Sequence, residues 1–180
     1  MFKKFNNYQK VVILWGVVCF LGFFSSQIFP FFTEINSIFG DMRLSLFGWL
    51  ILTAIALFYQ AKLMWYSNFA SIASQVIWAI VGIGGWVFTY FKLYGYIPGG
   101  IKPDAGWLLF CFWGMLFTAL VNKNNLSYYL LAFLYLVSGL FIQATTLPFE
   151  LIIVGTIFLV LGFVDAYLEY SPWRKNLAEI

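Results

Sequence analysis

YGYIPGGIKPDAGW, Tyr94 to Trp107, holds two of the chain's five prolines and four of its fifteen glycines. It is the longest interruption in the second half of a sequence that otherwise passes through one apolar segment after another. Proline removes a backbone donor and glycine admits turn conformations, so this composition marks a connector between helices. What it connects depends on the flanking residues, and these are too apolar for water.

Of the 180 residues, 63% are hydrophobic, 23% aromatic and only 9% charged, against about 25% charged in an ordinary soluble domain. So few charges cannot cover a globule of this length, and the solvent implied is a lipid bilayer. Six apolar segments fall at about 11–30, 44–61, 68–90, 105–121, 126–144 and 147–164. At about 1.5 Å of rise per helical residue they match a hydrocarbon core of roughly 30 Å, the fourth lying near the lower limit. The expected fold is an all-α membrane protein, a six-transmembrane-helix bundle in which residues 1–180 form one integral membrane domain. The first segment continues through Phe23, Phe24, Ser25 and Ser26 without a small-residue cleavage pattern, so it reads as a retained helix.

After Pro30, the residues Phe31, Phe32, Ile35, Ile38 and Phe39 recur at helical spacing between Glu34, Asn36, Ser37 and Asp41. That pattern suits a short amphipathic element lying in the membrane interface. Short turns at 62–67 and 122–125 imply that the second and third spans, and the fourth and fifth, fold back as hairpins. The stretch 94–107 then joins two hairpins. A self-match of Gly48-Trp49-Leu50 with Gly106-Trp107-Leu108 relates these hairpins in parallel, whereas an inverted three-plus-three division finds no clear match in the residues.

Six crossings put both termini on one side. Lys3, Lys4, Lys10, Lys62, Lys123, Arg174 and Lys175 fall there, seven of the ten basic residues, opposite Arg43, Lys92 and Lys102. The excess of positive charge places both termini in the cytoplasm, with the chain in a plasma or inner membrane. The scattered cations form no nucleic-acid footprint.

There is no histidine, which removes the commonest metal ligand and general base. Cys19 and Cys111 lie in separate apolar segments, and no phosphate loop or nucleophile elbow is present. No catalytic, metal or cofactor site is therefore expected.

Two constellations stand out. In the third span, Ser71, Ser74, Gln75, Trp78, Gly82, Gly85 and Thr89 share an arc of about 100°, which suits either a packing seam or a solute path. On the outer face, Glu34, Asp41 and Arg43 are joined by Lys102 and Asp104, a group able to hold a cation, a basic partner or a lipid phosphate, or else plain hydrated charge. Small residues also suggest inward faces at Ser45, Gly48, Ala56 and Tyr59 in the second span, and at Gly155, Gly162, Ala166 and Glu169 in the sixth. Asp165, almost a full crossing after Leu147, is expected as a solvated or paired charge at the interface.

These readings point to a non-enzymatic helix-packing scaffold or accessory subunit of a membrane assembly. Its partners would be the lipid bilayer and either other membrane proteins or a second copy. The alternative is a small-solute permease lined by the polar face of the third span, and a lipid-modifying membrane enzyme comes third.

Overall fold

The computed structural model describes residues 7–28, 44–64, 69–93, 96, 100–121 and 126–170. The elements among them are six helices: α1 (Asn7–Ile28), α2 (Leu44–Met64), α3 (Phe69–Leu93), α4 (Pro103–Val121), α5 (Leu126–Ala144) and α6 (Glu150–Tyr170). Their lengths run from 19 residues in α4 and α5 to 25 in α3. Five of them, all but α2, are long and apolar enough to span a membrane, while α2 contributes the shorter apolar stretch Gly48–Leu63. The amphipathic pattern at 31–41 and the basic residues at both termini lie outside the described residues.

The helices form two compact units, one of α1, α2 and α6, the other of α3, α4 and α5. In the first, α1 packs most extensively on α6 and also on α2. Backbones meet closely here. Gly16 lies against the main chain of Phe158 and Leu159, and a methyl group on Gly162 would come 3.2 Å from the Val12 carbonyl oxygen. Gly155 lies in the same way against Phe20. The inward face expected for α6 thus takes the form of a glycine seam, with Gly155, Gly162 and Ala166 all buried. Phe23 fills the space beside it, stacked on Phe158 at 5.5 Å and set edge-on to Trp49 at 5.2 Å.

The α2 face differs from the expected one. Of the four residues proposed for it, Ala56 is fully buried, but Tyr59 is 50% exposed and nothing lies within 4 Å of a methyl placed on Gly48. The face that meets α1 instead carries Trp49, Ala56 and Gln60, turned by about a sixth of the helix circumference. Polar pairing with α1 sets this orientation, as described below, and outranks side-chain size. Within the units, α2 packs on α1, and α3 packs on α4.

In the second unit α4 is central, with α5 on one side and α3 on the other. Leu108, Cys111, Met115, Thr118 and Ala119 of α4 are buried, as are Leu131, Ala132, Tyr135 and Ile142 of α5, each set recurring at helical spacing. Gly139 of α5 admits Leu108 and Leu109. The sixth helix begins later than the sequence suggests. Thr145 to Leu147 are not helical, Pro148 and Phe149 form a turn, and the carbonyl of Phe149, at φ 57°, accepts the amides of Ile152 and Ile153. Glu150 then occupies the first turn, where its charge complements the helix dipole.

The α1–α6 seam gives a direct test. Gly162→Val should destabilise the protein by about 1–3 kcal/mol through overpacking against backbone that cannot yield. Gly82→Ala, into open space on α3, should be neutral or stabilising by up to about 1 kcal/mol. Thermal unfolding of the two variants in the same detergent checks both.

Candidate functional site

The arc singled out on α3 lies partly on α4. Gly85 is buried beneath the indole of Trp107, to which a methyl at that position would approach within 2.6 Å, and the Trp107 Nε1–H donates to Thr89 Oγ at 2.8 Å. Trp78 and Val81 close over Gly114, and Gly84 faces Phe110. Gly82, at the edge of the arc, has no side chain near it. Ser74 and Gln75 are half-buried, and both take part in interactions. Ser71 lies in α3, but its side chain is outside the described residues.

The same construction recurs between α1 and α2. Gly22 lies beneath the indole of Trp49, too close to admit a methyl, and the Trp49 Nε1–H donates to Ser26 Oγ at 3.2 Å. In both pairs a glycine is followed four residues later by a hydroxyl, one helical turn on, so both groups sit under a single ring. The facing helix supplies Gly-Trp-Leu, at 48–50 and at 106–108. The self-match in the sequence therefore marks a repeated clasp, and each tryptophan closes onto the helix before it. The recurrence relates α1–α2 to α3–α4, one helix earlier than the residues alone suggest.

Further polar groups in the first unit join α1 to its neighbours. The Trp15 Nε1–H donates to Gln60 Oε1 at 2.6 Å, and Gln9, 1% exposed, donates to the Ala166 carbonyl at 2.8 Å. Asn7 donates to the Leu63 carbonyl near the end of α2, and Gln27 accepts the Leu151 amide in the first turn of α6. These last two satisfy backbone groups that a helix end leaves without internal partners. Of the two forms expected for Asp165, the solvated charge is excluded: it is buried, 2% exposed, next to the carbonyl that Gln9 binds. The helix continues to Tyr170, which carries Asp165 inside the packed region.

Of the outer-face cluster, Glu34, Asp41 and Arg43 lie outside the described residues. Lys102 and Asp104 are not hydrated loop charges. The Lys102 amine donates to the carbonyls of Ile142 (3.1 Å) and Thr145, and the Lys102 backbone amide donates to Gln143 Oε1 at 2.8 Å. Gln143 Nε2 returns a bond to the Gly100 carbonyl at 3.1 Å. A cation thus sits on the negative end of α5. Asp104, buried in the first turn of α4, accepts the Ala105 amide at 3.0 Å at the positive end of that helix. Together these groups fasten the end of the 94–107 connector to α5.

The sequence offered no signal for Gln9, which reads as a polar residue flanking the first span, or for Gln60, which reads as the end of the second. A tryptophan within reach on the facing helix was needed to see the Gln60 bond. Among the described residues no group of three His, Cys, Asp or Glu side chains comes together as metal ligands. No family model matches the chain, and no curated protein or solved structure shows significant similarity to it.

The α3–α4 clasp should appear in a double-mutant cycle. Thr89→Val and Trp107→Phe are expected to show a coupling of about 0.6 kcal/mol, and no more than about 1.7, as for hydrogen bonds between membrane helices. Denaturant unfolding in mixed micelles reads it. Lys102→Met should lower the unfolding temperature, whereas Lys62→Met, at an exposed position, should leave it unchanged.

Proposed function

We propose that all six helices cross the membrane with both termini in the cytoplasm, and that the chain acts as a helix-packing scaffold or accessory subunit in a membrane assembly. The observation that carries this reading is the occupation of the α3 polar face: Gly85 and Thr89 are used to hold Trp107. Polar residues in the other spans do similar work, since Gln9, Trp15, Ser26 and Gln60 all bond to a neighbouring helix. Polar groups spent on helix association are what a packing role needs. The outward faces are correspondingly apolar, with Ile51, Ile55 and Phe58 exposed on α2 and Ile72, Val76, Ile80, Ile83 and Val87 on α3. Such faces suit lipid or the helices of a partner.

A small-solute permease is the second reading, favoured by Gly82. It shares the arc of Ser74 and Gln75, and the space beyond it is open. Water access separates the two. With Cys19 and Cys111 replaced, single cysteines at Ser74 and Gly82 should resist a membrane-impermeant maleimide in intact membranes and react only after denaturation. Ready labelling from one side would overturn the scaffold reading in favour of the permease. Topology reporters should place both termini in the cytoplasm and an insertion after Gly100 on the opposite side.

A further inference from the structure

The two tryptophan clasps provide an internal comparison. Setting Gly22 and Ser26 of α1 against Gly85 and Thr89 of α3, and Trp49 against Trp107, pairs Ser25 with Phe88, Gly48 with Gly106 and Leu52 with Phe110. In the α3–α4 pair this region is full. The Phe88 ring lies over Gly106 too closely to admit a methyl there, and its centroid is 5.8 Å from that of Phe110. In the α1–α2 pair the same positions carry a serine and a leucine, and among the described residues nothing lies within 4 Å of a methyl placed on Gly48, while a groove of about 450 Å³ runs between Leu21, Phe24, Ser25, Gly48, Ile51 and Leu52.

The chemistry of this groove is one-sided. Its one hydroxyl, Ser25, donates to the Gly22 carbonyl at 2.8 Å, so it presents no unmet donor to a ligand. The remaining lining is apolar and gives water no partners. Leu21, Phe24 and Ile51 on the rim are exposed, 43%, 38% and 47%, and α1 over Gln9–Ile28 is one of the membrane-length apolar stretches. The groove is thus continuous with the exposed apolar surface of α1. These same bulky rim residues oppose the close backbone approach by which a partner helix would dock. We infer that the groove holds an acyl chain of a membrane lipid, in the place that Phe88 fills in the other pair. This rests on α1 crossing the membrane, as proposed above.

The test uses the full chain in phosphatidylcholine–phosphatidylglycerol vesicles containing a phosphatidylcholine with a diazirine in its acyl chain. After photolysis, label should concentrate on peptides covering 21–28 and 48–52, above the level on the exposed α5 residues Phe133 and Val137. Ser25→Phe, which copies the filled pair, should reduce groove labelling about tenfold, the effect of losing contact with roughly two methylenes, and leave α5 labelling unchanged. Gly48→Leu fills the groove from the other wall and should do the same, which decides the matter if Ser25→Phe does not fold. The inference is overturned if wild-type groove peptides are labelled no more than α5, or if a folded filling variant keeps its label. It is also overturned if Ile51→Cys crosslinks two copies while the groove remains unlabelled. Absence of label on α5 as well as on the groove would count against the membrane reading itself.

Discussion

An indole or amide N–H inside a membrane span has no water to bond, and left alone it costs several kcal/mol. Four such donors find an oxygen on a neighbouring helix of the same chain. Trp107 finds Thr89, Trp49 finds Ser26, Trp15 finds Gln60, and Gln9 finds the carbonyl of Ala166. These bonds link α4 to α3, α2 to α1 twice, and α1 to α6. The magnitudes divide the labour: an interhelical hydrogen bond in lipid contributes about 0.6 kcal/mol on average, whereas forcing a side chain into a tight backbone contact costs about 1–3 kcal/mol. The glycine seams at Gly16, Gly155 and Gly162 decide which helix α1 can approach most closely. The hydrogen bonds then set how far each helix is rotated and slid against its neighbour.

The helix ends follow the same rule with different groups. The last carbonyls of α5 accept the Lys102 amine, a carbonyl near the end of α2 accepts Asn7, and an amide in the first turn of α6 donates to Gln27. Each of these side chains comes from a different helix or from the connector before α4. A helix end capped in this way is tied to its neighbour where the packing would otherwise fray. The connector at 94–107 gains a second role from this arrangement. Its prolines and glycines make the turn, while Lys102 and Asp104 fix the start of α4 against the end of α5 and in the field of its own dipole.

The helices themselves were legible because length and apolar content are local properties, and the glycine face of α6 was legible because small residues recurred at helical spacing. Pairing was not, since it depends on residues far apart in the chain: Gln9 and Ala166, which tie α1 to α6, are 157 positions apart. A short connection shows only that two helix ends adjoin, and says nothing of α2 packing on α1 or of α3 packing on α4. The α2 face was misjudged for a physical reason. Size favoured the Gly48 and Tyr59 side, but Trp49 and Gln60 had hydrogen bonds to complete, and completing them turned the helix. The burial of Asp165 was not legible because it depends on α1, whose Gln9 binds the adjacent carbonyl of Ala166. On the α3 arc, Gly85 and Thr89 shared a tryptophan that no property of α3 could announce.

The three-residue match of Gly48-Trp49-Leu50 with Gly106-Trp107-Leu108 is too short to carry weight as sequence. It acquires meaning from what the tryptophan does. Each ring needs a glycine to lie on and, one turn further, a hydroxyl to take its proton, and Gly22-x-x-x-Ser26 and Gly85-x-x-x-Thr89 supply both. The partner is in each case the preceding helix, so the repeating piece is a helix followed by the helix that closes onto it. Neither α5 nor α6 carries a tryptophan; the end of α5 is held by Lys102 and the start of α6 by Gln27. At these helix ends a long polar side chain, from α1 or from the connector before α4, reaches the free backbone groups directly. Two devices thus give polar groups at helix contacts their partners: an indole that closes on a glycine and a hydroxyl, and a long side chain that reaches a helix end.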